Sequence, residues 1–177
     1  MDITQALAPT SDQLDAIELV EPRTFTIDTG SRLGKREGKT VAEIRLVGLD
    51  RVWRPSKGML DVLGACWGVA ADQWVGRSVT VYNDREVMFG KEKVGGIRIS
   101  RLSNIDCPRT VKIRAGGGRV QSWHVEPIPD YLAELALTDG NPDAIKALGQ
   151  AARADGAGDD VIGKILAAWN EAVGAQK

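Results

Sequence analysis

Five short segments of this chain alternate apolar and polar residues with a period of two, and no other feature restricts the fold as much. Phe25 and Ile27 alternate with Thr24, Thr26 and Asp28; Ala42, Ile44 and Leu46 with Glu43 and Arg45; Val79 and Val81 with Thr80 and Tyr82; Ile97 and Ile99 with Arg98 and Ser100; Val111 and Ile113 with Lys112 and Arg114. Successive side chains on a strand point to opposite faces, so each segment predicts a strand with one apolar and one polar face. One-sided strands belong to antiparallel sheets that are wetted on one side, because parallel sheets are covered on both. Short strands separated by turn residues favour a small barrel or sandwich.

Between the second and third segments, Met59, Leu60, Leu63 and Trp67 recur at helical spacing behind Ser56, a residue suited to cap the first turn, with Gly64 and Gly68 near the end. Turns fall at Gly34 to Gly38, Asn83-Asp84, Gly95-Gly96 and Gly116-Gly117-Gly118, the last predicting a hairpin from about Thr110 to Val125. After Pro127 and Pro129 the composition turns to Ala, Leu and Asp. Asn141-Pro142 predicts one helix start, with Ile145 and Leu148 inward; Asp159 or Asp160 predicts another, with Ile162, Ile165, Leu166, Trp169 and Val173 along one face. A chain of 177 residues holds one sizeable core, or a domain with an appendage. The expected fold is mainly β within the α+β class. An acidic arm over residues 1–22 precedes a small OB-like antiparallel barrel with one inserted helix over 23–126, and a helical appendage follows over 127–177. An OB fold usually places its helix between strands three and four, an order that a further strand within residues 47–54 would restore.

Charge divides the chain along the same boundaries. Residues 23–119 hold 19 Lys and Arg against 10 Asp and Glu, whereas residues 1–22 hold five acids and no base, and residues 120–177 nine acids against four bases. A formal net charge of −1 thus hides a cationic middle. Such a segment is the electrostatic footprint of a phosphate-rich partner, since each neutralised phosphate releases condensed counterions. A solvated basic face beside acidic flanks is the plainer alternative.

Several catalytic classes find no motif. Gly34-Lys35-Arg36-Glu37-Gly38-Lys39-Thr40 has three residues between its glycines where a phosphate-binding P-loop has four, and it leads into a strand pattern rather than a helix. It reads better as a basic hairpin tip. His124 is the single histidine and has no nucleophile motif around it, which predicts a structural role. Asp50, Asp61, Asp72, Asp84, Glu86, Glu92 and Asp106 are scattered without metal-ligand spacing, so no metal and no cofactor is expected; a metal-dependent nuclease would have to gather them in space. Cys66 and Cys107 form no CxxC pair and are expected as buried thiols in a reducing compartment. With no leader pattern and no long apolar run, a soluble, cytoplasmic protein is expected.

The series Ser56-Lys57-Gly58-Met59-Leu60, then Cys66-Trp67-Gly68, then Trp74-Val75-Gly76-Arg77 leading into a strand that ends at Tyr82, then Gly95-Gly96-Ile97-Arg98-Ile99-Ser100 resembles a family of small phage and prophage proteins in which these motifs recur in this order. The resemblance spans about residues 11 to 106. It implies a phage origin and a small barrel protein of the replication or recombination set.

The positive signal in the residues is basic side chains interleaved with aromatic ones on polar strand faces and loops. Cations follow a nucleic-acid backbone while flat rings stack on exposed bases. The candidate nucleic-acid-binding residues are Arg32, Lys35, Arg36, Lys39, Arg45, Arg51, Trp53, Arg54, Lys57, Arg77, Tyr82, Arg85, Lys91, Lys93, Arg98, Lys112 and Arg114, with Tyr82 and Trp53 as the stacking rings and Trp67 and Phe89 as core. Non-catalytic binding of single-stranded DNA is the leading expectation, and self-association is compatible with it. The alternative is an interaction module that holds a phage or host protein by its basic face or by Ile165 and Trp169 of the last helix.

Overall fold

The computed structural model describes residues 11–114 and 118–175; most of the glycine tip of the last hairpin, the Phe89 side chain and the first ten residues lie outside the described set. The chain is a mixed α+β protein with strands β1 (Arg23–Thr26), β2 (Arg32–Arg36), β3 (Lys39–Arg45), β4 (Val52–Trp53), β5 (Ser78–Asp84), β6 (Met88–Phe89), β7 (Glu92–Lys93), β8 (Gly96–Leu102), β9 (Arg109–Arg114) and β10 (Val120–Pro127). Helix α1 (Lys57–Trp67) lies between β4 and β5, and α2 (Tyr131–Ala136), α3 (Pro142–Ala154) and α4 (Asp159–Gly174) follow the last strand. No helix among the described residues is long and apolar enough to cross a membrane.

The main sheet has five strands in the order β1-β5-β8-β10-β9. Its pairs are antiparallel except for a short parallel contact, Glu126 and Pro127 of β10 beside Arg101 and Leu102 of β8. The alternation read from the sequence sorts the faces. Val79 and Val81 lie opposite Leu102 and Ile99 and are buried, whereas Tyr82 lies opposite Arg98 on the other face. Burying each such aliphatic side chain contributes roughly 1.5–3 kcal/mol. No ladder joins β9 back to β1 among the described residues, so these strands do not close into a barrel. Helix α1 packs on β9 instead, so near that a Cβ on Gly58 would stand 3.1 Å from the Arg114 carbonyl oxygen. Where β8 and β10 diverge, Met59 of α1 accepts the Ile99 N–H through sulfur, and the Trp123 indole donates to the Ile99 carbonyl.

Strands β2, β3 and β4 form a second antiparallel sheet. It is tied to the first by a bridge between Ile27 and Leu46 and by the Val47 N–H donating to the Thr26 carbonyl. The β2–β3 turn is two residues, Glu37 and Gly38, both with positive φ (50° and 75°), as a tight hairpin with the sheet's own twist requires. Helix α1 starts as expected, with the Ser56 hydroxyl accepting from the Met59 N–H, and buries Met59, Val62, Leu63 and Trp67. The arm is less separate than its charge suggests. Leu14 and Leu19 enter the main core, a 3-10 turn spans Ala16–Glu18, and Gln13 bridges Val52.

The C-terminal helices build a second apolar cluster around Tyr131, Ile145, Ala152 and Ile165. Asn141 caps α3 through its side chain, with Pro142 in the first turn. The unit docks on the sheet at a glycine. Gly156, φ +74°, accepts from the Thr24 N–H at its carbonyl, and an added Cβ would lie 2.2 Å from the Pro22 carbonyl oxygen. Beside it the Asp155 carboxylate accepts from Arg101 at 3.0 Å and from the Tyr131 hydroxyl. Of the two thiols, Cys66 is partly buried, whereas Cys107 is exposed, against the expected burial, because it sits in the loop between β8 and β9.

Candidate nucleic-acid interface

Many of the cations that look alike in the sequence are occupied by carboxylates of this chain. Gly34 of β2 lies opposite β3, and its missing side chain leaves room for Glu43, whose carboxyl carbon would stand 2.7 Å from a Cβ there. Glu43 is buried and accepts from Arg32 at 2.9 Å and from Arg54 at 2.7 Å; Arg54 also forks onto Asp12 at 2.7 Å. These guanidinium donors hold the Glu43 and Asp12 carboxyls below their usual range, Arg54 being the leading cause at both. Arg51 binds Glu18 bidentately and Arg114 binds Asp61 of α1, lowering both carboxyls in the same way. Lys93 pairs with Glu86, Lys112 with the Ser122 hydroxyl, and Arg45 with the Asp50 carbonyl. Arg77 lies 5.6 Å from the centre of the Trp67 ring. Such pairing leaves little unspent field for a ligand.

A second set keeps its charge open. Lys35 and Lys39 on the β2–β3 hairpin, Lys57 at the start of α1, and Arg85 and Lys91 around the β6–β7 hairpin are exposed and have no ion pair among the described residues. Arg36 lies across from Lys39 and donates to the Gln13 side-chain carbonyl at 3.2 Å, with no ion pair among the described residues. Helix α1 has no acid in its first turn and carries Lys57 there, an arrangement that opposes the helix dipole and leaves the amide end electropositive.

A cleft of about 460 Å³ runs between the arm and β8, lined by Gln13, Asp15, Ile17, Arg54, Ser56, Val94 and Arg98 among others. Arg98 is held with its guanidinium carbon 5.5 Å from the centre of the Trp123 ring, and the Asp84 carboxylate stands 3.7 Å from its Nε. The buried Nε makes no hydrogen bond to any described residue. Tyr82, its cross-strand partner, is half-buried, and burial, followed by the nearby Asp84 charge, pushes the phenol pKa up. Arg98 is thus held by Asp84, and the half-buried, neutral Tyr82 ring beside it is the group on this face that can stack on a base.

Two site residues expected from the sequence are placed elsewhere. Trp53 is 1 % exposed in the main core opposite Ile44, so it is not available to stack on a base. Ile165 is 3 % exposed in the helical cluster, so it offers no surface to a partner, whereas Trp169 is only partly buried. Trp67 fills the core, as expected, and its indole donates to the Ser103 carbonyl. His124 lies on the polar face of β10 and pairs with Glu126 at 2.7 Å. Trp123, the ring against Arg98, lies in no motif; its one signal in the sequence is a spacing of two from Val125, which sets both on one strand face. Among the described residues no three His, Cys, Asp or Glu side chains gather as a metal site. Comparison with protein-family models, with curated proteins and with solved structures finds no match to this chain.

Proposed function

We propose that this protein binds single-stranded DNA with little sequence preference, does no chemistry on it, and serves phage or prophage replication or recombination. The supporting observation is the pairing of Tyr82 with Arg98 on β5 and β8, the second and third strands in chain order of the five-stranded sheet. Ranked that way, the sheet runs first, second, third, fifth, fourth, with the third and fifth parallel, as an OB-like barrel left open would. OB folds bind oligonucleotides on the face of strands two and three and in the loops after strands one and four. In this chain the first of those loops contains the hairpin of Lys35, Arg36 and Lys39, and the second joins Arg114 to Val120.

The direct test is fluorescence anisotropy of a labelled single-stranded oligonucleotide, at low and at moderate salt, beside the matching duplex. Preference for the single strand, weakening steeply with salt, is the expected result. Absence of binding at low salt, or equal binding of duplex, would overturn the proposal.

A further inference from the structure

The acidic C-terminal unit sets two of its cations along one groove. From residue 127 to residue 175 the chain has eight acids and three bases. An open groove of about 220 Å³ lies between α3 and α4, and its lining includes two of those three bases, Lys146 and Arg153, and none of the acids. Its floor is apolar. Ile162, Leu166 and Trp169 recur along α4 at steps of four and three, and Leu166 is 46 % exposed. Gly149 lets the two helices approach, since a Cβ there would stand 3.3 Å from the Ile165 side chain.

Trp169 differs from the other tryptophans in this setting. The indoles of Trp67, Trp74 and Trp123 donate to carbonyls at 2.8–3.0 Å, and that of Trp53 is sealed in the core. The Trp169 N–H makes no hydrogen bond to a described residue and is not sealed. A half-buried indole with an open donor, set beside exposed leucine, is the composition of an interface anchor. The docking contacts to the sheet use other groups, Asp155, Gly156 and Tyr131, so they leave Leu166 and Trp169 uncovered.

We infer that the α3–α4 groove receives an amphipathic helix of another protein, one whose apolar stripe is flanked by Asp and Glu. A third helix laid between two presents residues at the same steps of three and four as the groove. The basic rim selects acidic flanks, because like charges facing Lys146 and Arg153 are repelled. This surface is independent of DNA binding and stands whether or not the basic sheet binds DNA.

The test uses the full chain labelled for NMR and two designed peptides of about five helical turns with the same leucine stripe, one flanked by Glu and one by Lys. Expected are saturable shifts confined to α3, α4 and the Trp169 indole, with the Glu peptide binding about tenfold more tightly. In the variant carrying Lys146→Glu and Arg153→Glu, both exposed positions, the preference should invert. Shifts elsewhere or none at all, equal affinities, or an uninverted preference would overturn the inference. So would a dimer in sedimentation that dissolves on Trp169→Ala, since the groove would then hold a second copy of this chain.

Discussion

Two groups of arginine and lysine, drawn from the same stretch of chain, do different work. At the base of the β2–β3–β4 sheet, Arg32, Arg51 and Arg54 are consumed by Glu43, Glu18 and Asp12, and the acidic arm is fastened to the domain as a result. At the hairpin tips and the start of α1, Lys35, Arg36, Lys39, Lys57 and Lys91 face solvent without a carboxylate partner among the described residues. The first group stabilises and the second is available for binding. The contrast teaches that a charge count along a chain measures neither, because the fold decides which cations remain unspent.

The sharpest way to break this contrast is to reverse Lys35, Arg36 and Lys39 to Glu together. Affinity for a single-stranded oligonucleotide at low salt should fall by about a hundredfold and the slope of log affinity on log salt should shrink by about 2, while calorimetry finds an unchanged melting temperature. Tyr82→Ala should cost the complex about 1–3 kcal/mol, roughly fivefold to 150-fold in affinity, with the salt slope retained because no charge is lost. Titrations at two salt concentrations separate these two variants. Arg54→Met should do the reverse, lowering the melting temperature by a few degrees and leaving DNA affinity within about twofold. A collapse of affinity there would mean that pairing does not withdraw an arginine from the site.

Acid should loosen the paired group alone. Asp12, Glu18, Glu43 and Asp61 titrate below their usual values of 3.8 and 4.5 because arginines donate to them in the folded chain. Their contribution to stability is therefore complete above about pH 4.5 and declines as pH falls through the carboxylate range. Melting temperatures measured from pH 6 down to about pH 3 should drop for the native chain. The drop should be shallower for Arg54→Met, whose carboxylates have less to lose.

The strands that were legible in the sequence are those with one face in the core. β1, β3, β5, β8 and β9 fall on the five alternating segments, and α1 begins at its serine cap. Strand β2 was not legible, because Arg32, Leu33, Lys35 and Arg36 are exposed on both faces of a projecting hairpin and leave no burial pattern. Helix α2 is six residues long, too short to show a period, though Asp130 caps it. The candidate site was half legible. Tyr82 and Arg98 sit on the polar face that alternation assigned to them, while Trp53 was misplaced because a two-residue strand carries no periodic signal. Ion pairs such as Arg54 with Asp12 and Arg114 with Asp61 join residues 42 and 53 positions apart, and only the folded topology brings them together.

The backbone bond from Thr24 to Gly156 has one more effect. β1 is the edge of the five-stranded sheet, and an open edge is a template on which further chains can polymerise. Here the donors of Thr24 and Asp28 and the acceptor of Thr26 are all taken, by Gly156, Arg45 and Val47. At the opposite margin the Asp61 side chain takes the Arg114 N–H. The turn between α3 and α4 and the end of β3 together therefore act as a selvedge, keeping the sheet from growing into a fibre at the side where it would otherwise continue.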